Sequence, residues 1–95
     1  MPILQIEHPV RDFAAWKATF DADPVGRERG GVRRYRIVRP VGDPGYVAVE
    51  LEFETLEAAE SFLAALRELW RRAESEGLMA GPQARIVEAV ESAEY

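Results

Sequence analysis

An α+β fold is what the sequence predicts, on three observations. The hydrophobic period switches in the order alternating, helical, alternating, alternating, helical, alternating. A five-residue turn segment, Val41-Gly42-Asp43-Pro44-Gly45, joins the two central alternating runs as a hairpin loop. A long amphipathic stretch then follows the third alternating run directly. Together these spell β-α-β-β-α-β, the split βαβ or ferredoxin-like arrangement, with one antiparallel four-stranded sheet.

Each element has its own warrant. Residues 2–8 alternate as a first strand, and Pro9 holds His8 extended. Asp12 is placed to cap a helix that runs to about Ala22, where Phe13, Trp16 and Phe20 form one apolar stripe. Asp23-Pro24 ends it, and Val25–Gly31 is a polar, glycine-rich connection. Strand two spans about Val32 to Arg39 and strand three about Tyr46 to Glu54. Placing Pro40 opposite Tyr46 pairs Ile37 with Val49 and Tyr35 with Leu51. The same register sets Arg36 against Glu50 and Arg34 against Glu52, so apolar meets apolar and plus meets minus. Thr55 caps the long helix, Leu56 to about Glu76, with Gly77 as its stop. Leu56, Ala59, Phe62, Leu63, Leu66, Leu69, Trp70 and Ala73 fall within an arc of ~140°. The segment Gly77–Gln83 connects to strand four, Ala84 to about Glu91, whose facing stays ambiguous because neither side forms an unbroken apolar set.

Strand parity divides the sheet into two unlike faces. Leu4, Ile6, His8, Arg33, Tyr35, Ile37, Val47, Val49, Leu51 and Phe53 are expected under the helices. Ile3, Gln5, Glu7, Val32, Arg34, Arg36, Val38, Ala48, Glu50 and Glu52 are expected on the open face. That open face is too apolar in part to read as simply solvated, and two copies packed sheet to sheet would cover it. The plainer reading is cross-strand ion pairing on a wet monomer, worth about 0–1 kcal/mol per pair.

Composition bounds the answer. Ninety-five residues, 47% hydrophobic and 31% charged, make a single domain over 1–95 of ordinary soluble character. A domain this small buries about 60% of its extended-chain surface or slightly more, which favours a homodimer. With no cysteine there is no disulfide scaffold, thiolate metal site or Cys nucleophile. One His and no tight carboxylate group predict no metal. No signal peptide or membrane span is visible, so the expected location is cytoplasmic, with no membrane partner. Eleven of the twelve basic residues are Arg, a bias that fits a GC-rich bacterial genome. A net charge of −5 opposes nucleic-acid binding. RNA-recognition domains share this element order but stack bases on open-face aromatics, where this chain has Ala48, Glu50 and Glu52.

The element order, the short Asp12–Ala22 helix and the run from Tyr46 to Trp70 resemble the dimeric α/β-barrel superfamily, within it the antibiotic-biosynthesis-monooxygenase-like proteins. The resemblance covers Ile3 to Val90 and is carried by no catalytic motif. It implies a ligand cavity inside each subunit, bordered by His8, Trp16, Phe20, Tyr35, Phe53 and Trp70. It also implies a homodimer and chemistry without a cofactor. The haem-degrading branch relies on an Asn, Trp and His set, and this chain contains no Asn.

Candidate chemistry centres on His8, the one side chain that titrates unperturbed near neutrality. Facing the helices, it would act as base on a phenol or an activated C–H, giving an electron-rich anion able to meet O2. Its plainer role is a strand-end histidine bonded to backbone. Tyr35 and Arg33 would orient a hydroxyl or carboxylate, or else sit at the rim. Trp16, Phe20, Phe53 and Trp70 would wall an aromatic-ligand pocket, or else form plain core. The six arginines from Arg27 to Arg39 would hold an anion or pair with the abundant Glu. Two functions follow: binding of a small aromatic or polyketide-like compound, extending to its cofactor-independent oxidation or rearrangement, or a non-catalytic dimeric module that binds a metabolite or a partner.

Overall fold

The computed structural model describes residues 1–75 and 82–95, with β1 (Pro2–Pro9), α1 (Phe13–Asp21), β2 (Val32–Val38), β3 (Tyr46–Phe53), α2 (Leu56–Ser75) and β4 (Gln83–Glu88). The predicted element order therefore holds. The predicted stop at Gly77 and the Gly81 part of the last connection lie outside the described residues. The sheet order is β2-β3-β1-β4, every neighbour antiparallel. Each helix thus links two strands that are not adjacent, α1 stepping over β3 and α2 over β1.

Both helix starts follow the sequence. Asp12 has extended backbone, and its carboxylate accepts from the Ala15 amide at 3.3 Å. The Thr55 hydroxyl accepts from the Ala58 amide at 3.1 Å. Each bond satisfies a donor that the first helical turn leaves unpaired.

The core is a single layer between sheet and helices. Cross-strand pairs Leu4–Leu51 and Ile6–Val49 form its floor, with Phe53 beside them. Ala59, Phe62 and Leu63 of α2 close it from above, and Phe53 meets Phe62 at a 5.5 Å ring separation. Trp16 and Phe20 of α1 pack against its margin, half buried. Leu56, predicted in the apolar arc, is instead exposed. As the first helical residue its side chain leans back over the preceding turn, away from the core.

The β2–β3 pairing follows the predicted register from Arg34 to Val38, then departs at its start. A β-bulge between Val32 and Arg34 sets Val32 opposite Phe53. Val32 therefore packs on the core, not on the open face as parity predicts. Arg33, expected beside His8, reaches out to Glu54 at 3.3 Å with more than half its side chain exposed. Strand four is settled by its partner: Ile86 lies opposite Leu4 and Ala84 opposite Ile6, so both face the helices.

The open face carries a polar row across all four strands. Arg85 on β4 donates to Gln5 on β1 at 2.9 Å, and Gln5 donates to Glu50 on β3 at 3.1 Å. Arg36 on β2 donates twice to Glu50, at 3.1 and 2.6 Å. Arg34 meets Glu52 at 3.3 Å in the next row. Tyr46 donates to Glu7 at 3.0 Å. Partial burial, with the Glu7 carboxylate accepting its hydrogen bond and repelling a phenolate, raises the Tyr46 pKa above its usual value.

The connection from α1 to β2 is clamped onto α2. Gly30 passes so close to Phe62 that a Cβ there would stand 2.4 Å from the ring. A methyl group cannot fit without displacing a core aromatic. Gly30→Ala is expected to destabilise the fold by about 1–3 kcal/mol, read from urea unfolding. An unchanged midpoint would show that Phe62 yields freely.

For Tyr46 the neutral phenol is the favoured folded form. Its contribution to stability is complete below about pH 10 and lost as pH rises through the elevated folded value. Ultraviolet titration should show a late-ionising phenol that disappears in Tyr46→Phe and moves earlier in Glu7→Gln.

Candidate ligand cleft

A cleft of about 120 Å³ opens between the sheet and the two helices. Ile6, Val49 and Leu51 form its floor, Phe62, Leu66, Leu69 and Trp70 its α2 wall, and Trp16 and Phe20 its α1 wall. Residues Asp23 to Val25 and Arg27 complete the rim. A fully apolar cavity of about 150 Å³ accommodates one benzene ring. The space is therefore on the scale of a single aromatic ring, with the mouth free for the rest of a larger molecule.

His8 stands in this cleft as the one buried polar side chain among the described residues. Even parity puts it inward with Leu4 and Ile6, opposite Val47. Its Nδ1 lies 2.9 Å from the Pro9 carbonyl oxygen. A carbonyl only accepts, so Nδ1 is the donor in that contact, and in the tautomer protonated there alone Nε2 is an acceptor. Among the described residues Nε2 has no hydrogen-bond partner, and no buried side-chain nitrogen or oxygen is left unsatisfied. Nε2 is thus the atom that an entering molecule meets. Backbone anchoring and an available base are here two ends of one ring.

An aromatic series leads away from His8. Trp16 meets it edge-on at 6.0 Å, Phe20 stacks on Trp16 at 5.3 Å, and Tyr35 meets Phe20 edge-on at 5.1 Å. The apolar stripe of α1 places Trp16 and Phe20 one turn apart, which produces this line. At its far end the Arg27 guanidinium lies 4.0 Å from the Phe20 centroid and 5.1 Å from that of Tyr35.

Of the residues singled out from sequence, His8, Trp16, Phe20 and Trp70 line the cleft. Tyr35 borders it through Phe20 but is 45% exposed, because β2 is an edge strand of the sheet. Phe53 is fully buried against Phe62 and is core rather than wall. Arg33 is carried outward by the bulge and takes no part. The cation that does line the cleft is Arg27, expected only as one of an arginine cluster. Its signal was the Asp23–Arg27 spacing: the Asp23 carboxylate accepts from the Arg27 amide at 2.8 Å and folds the chain back over Phe20.

This architecture is a ferredoxin-like fold, and it is similar to several solved structures. Among solved structures, a candidate antibiotic biosynthesis monooxygenase from Deinococcus radiodurans superposes with a TM-score of 0.72 at 16% identity, over 100% of this chain and 98% of that one. A point mutant of SnoaB, a cofactor-independent oxygenase from Streptomyces nogalater, gives 0.73 at 13% identity, over 96% and 94%. A dimeric ferredoxin-like protein from an uncultured marine organism gives 0.62 at 14% identity, over 97% and 96%. No protein-family model and no curated sequence matches the chain, so the likeness is one of fold. Among the described residues no helix is long and apolar enough to cross a membrane.

Proposed function

We propose that this chain is a cytoplasmic homodimer that binds a small aromatic or polyketide-like compound in the cleft and oxidises it without a cofactor. The observation that carries the reading is His8: a buried imidazole, fixed through Nδ1 to the Pro9 carbonyl, presenting Nε2 to an aromatic-walled space. Trp16, Phe20 and Trp70 would hold the ring, and Tyr35 would stand at the mouth.

The chemistry runs as follows. Nε2 takes a proton from an activated methylene beside a phenolic ring, leaving an electron-rich carbanion. Dissolved O2 accepts two electrons from it and forms a C–O bond. The resulting hydroperoxide takes up a proton and eliminates water, so that the methylene has become a carbonyl. Carbon is oxidised, O2 supplies both the carbonyl oxygen and the oxygen of the water, and His8 returns to its neutral form. The protein's contribution is position and a prepared base. SnoaB, of similar fold, is a cofactor-independent oxygenase, which supports the reading.

A thermal-shift screen of small phenols and other small aromatics, followed by oxygen uptake, tests it. His8→Gln should lower turnover by about 10²–10⁴-fold while leaving the melting temperature close to that of the parent. Full turnover in that variant removes His8 from the mechanism. Binding with no oxygen uptake by the parent leaves a non-catalytic binding module.

The homodimer would form through the open sheet face. Ile3, Val38, Ala48 and Val87 sit there around the polar row, and Arg34 and Arg36 remain over 70% exposed beyond their carboxylate partners. Light scattering at micromolar concentration should give twice the 10.7 kDa chain mass. A mass equal to one chain overturns this interface.

A further inference from the structure

Arg27 has no part in the proton transfer just described, yet it is built into the cleft. Among the described residues that line the cleft, Asp23 and Arg27 are the charged ones. The Arg27 side chain is only 19% exposed, with its guanidinium over the Phe20 ring. One nitrogen, Nη1, donates to the Phe20 carbonyl at 2.7 Å. Asp23 Oδ1 is 3.6 Å from the same nitrogen, beyond hydrogen-bond distance, and is taken by the Arg27 amide at 2.8 Å. Nε and Nη2 donate to no described residue. A largely buried side chain thus keeps most of its five guanidinium donors available and accessible in a planar fork.

The fork is pinned at three points: the Phe20 carbonyl, the Asp23-anchored backbone and the faces of Phe20 and Tyr35. It stands at the opposite end of the Trp16–Phe20 pair from His8. The geometry points to a substrate class: an aromatic compound carrying an acidic hydroxyl or methylene at one end and a carboxylate at the other. The carboxylate accepts two parallel N–H bonds from Arg27, while the ring lies along Trp16 and Phe20 toward His8 Nε2. Arg27 is a specificity residue in this arrangement. The inference rests on the cleft being the ligand site.

Two probes of near-equal size separate charge from shape: para-hydroxybenzoate and para-hydroxybenzamide, titrated calorimetrically at low salt. The benzoate should bind about ten- to hundredfold tighter than the amide. Arg27→Gln should abolish that difference. Asp23→Asn keeps the acceptor for the Arg27 amide, and Asn tolerates the positive φ of 54° at this position. Removing the competing carboxylate should widen the preference several-fold. Equal binding of the two probes overturns the inference and leaves the cleft intact, as does a benzoate preference that survives in folded Arg27→Gln. Should that variant fail to fold, an unchanged or reduced preference in Asp23→Asn overturns it instead. Failure of both probes to bind overturns the cleft as ligand site, and the inference with it.

Discussion

The antiparallel register of β1 on β3 is the constraint on which the rest depends. Leu4 faces Leu51 and Ile6 faces Val49, and this alignment sets the inward parity of both central strands. Side chains alternate with a period of two, so a one-residue slip reverses every one of them. Glu7 would then enter the cleft as a buried carboxylate, and His8 would leave it. The apolar floor and the candidate base are therefore fixed by one and the same alignment. Pro9 closes the strand and supplies the carbonyl that orients the ring, so the end of β1 is also where the candidate base is held.

Much of this was legible in the sequence because the information was periodic. The β2–β3 register could be read from charge and apolarity together, and from Arg34 to Val38 it stands as read. Cap residues marked both helix starts for the same reason: Asp12 and Thr55 do a local job that needs no distant partner. What could not be read was aperiodic. A bulge inserts one residue and reverses parity beyond it, which moved Val32 inward and Arg33 outward. No local pattern announces a bulge. Strand four alternated too weakly to declare its face and is oriented by Leu4 and Ile6 instead.

The site shows the same division. Trp16, Phe20 and Trp70 lie on helical stripes and could be placed from spacing alone. Phe53 had the right parity, but only its depth under Phe62 distinguishes core from wall, and depth is a tertiary property. Arg27 sits in an irregular loop where no period exists. Its position is set by a turn at Asp23, a carbonyl at the end of α1 and the faces of two rings from separate elements. The close approach of Gly30 to Phe62 then ties that loop to α2, so the rim of the cleft is held by the core.

The polar row on the open face has a consequence for solubility. It terminates in a guanidinium on each outer strand, Arg36 on β2 and Arg85 on β4. Unpaired strand margins invite other chains to add on sideways, the route toward fibrillar aggregates, and bulky cations placed there discourage it. Their partners Glu50 and Gln5 lie on the two central strands, so the charges that guard the margins are tethered from the middle of the sheet. Lateral growth is thereby opposed at both ends, while stacking of one sheet on another stays sterically open.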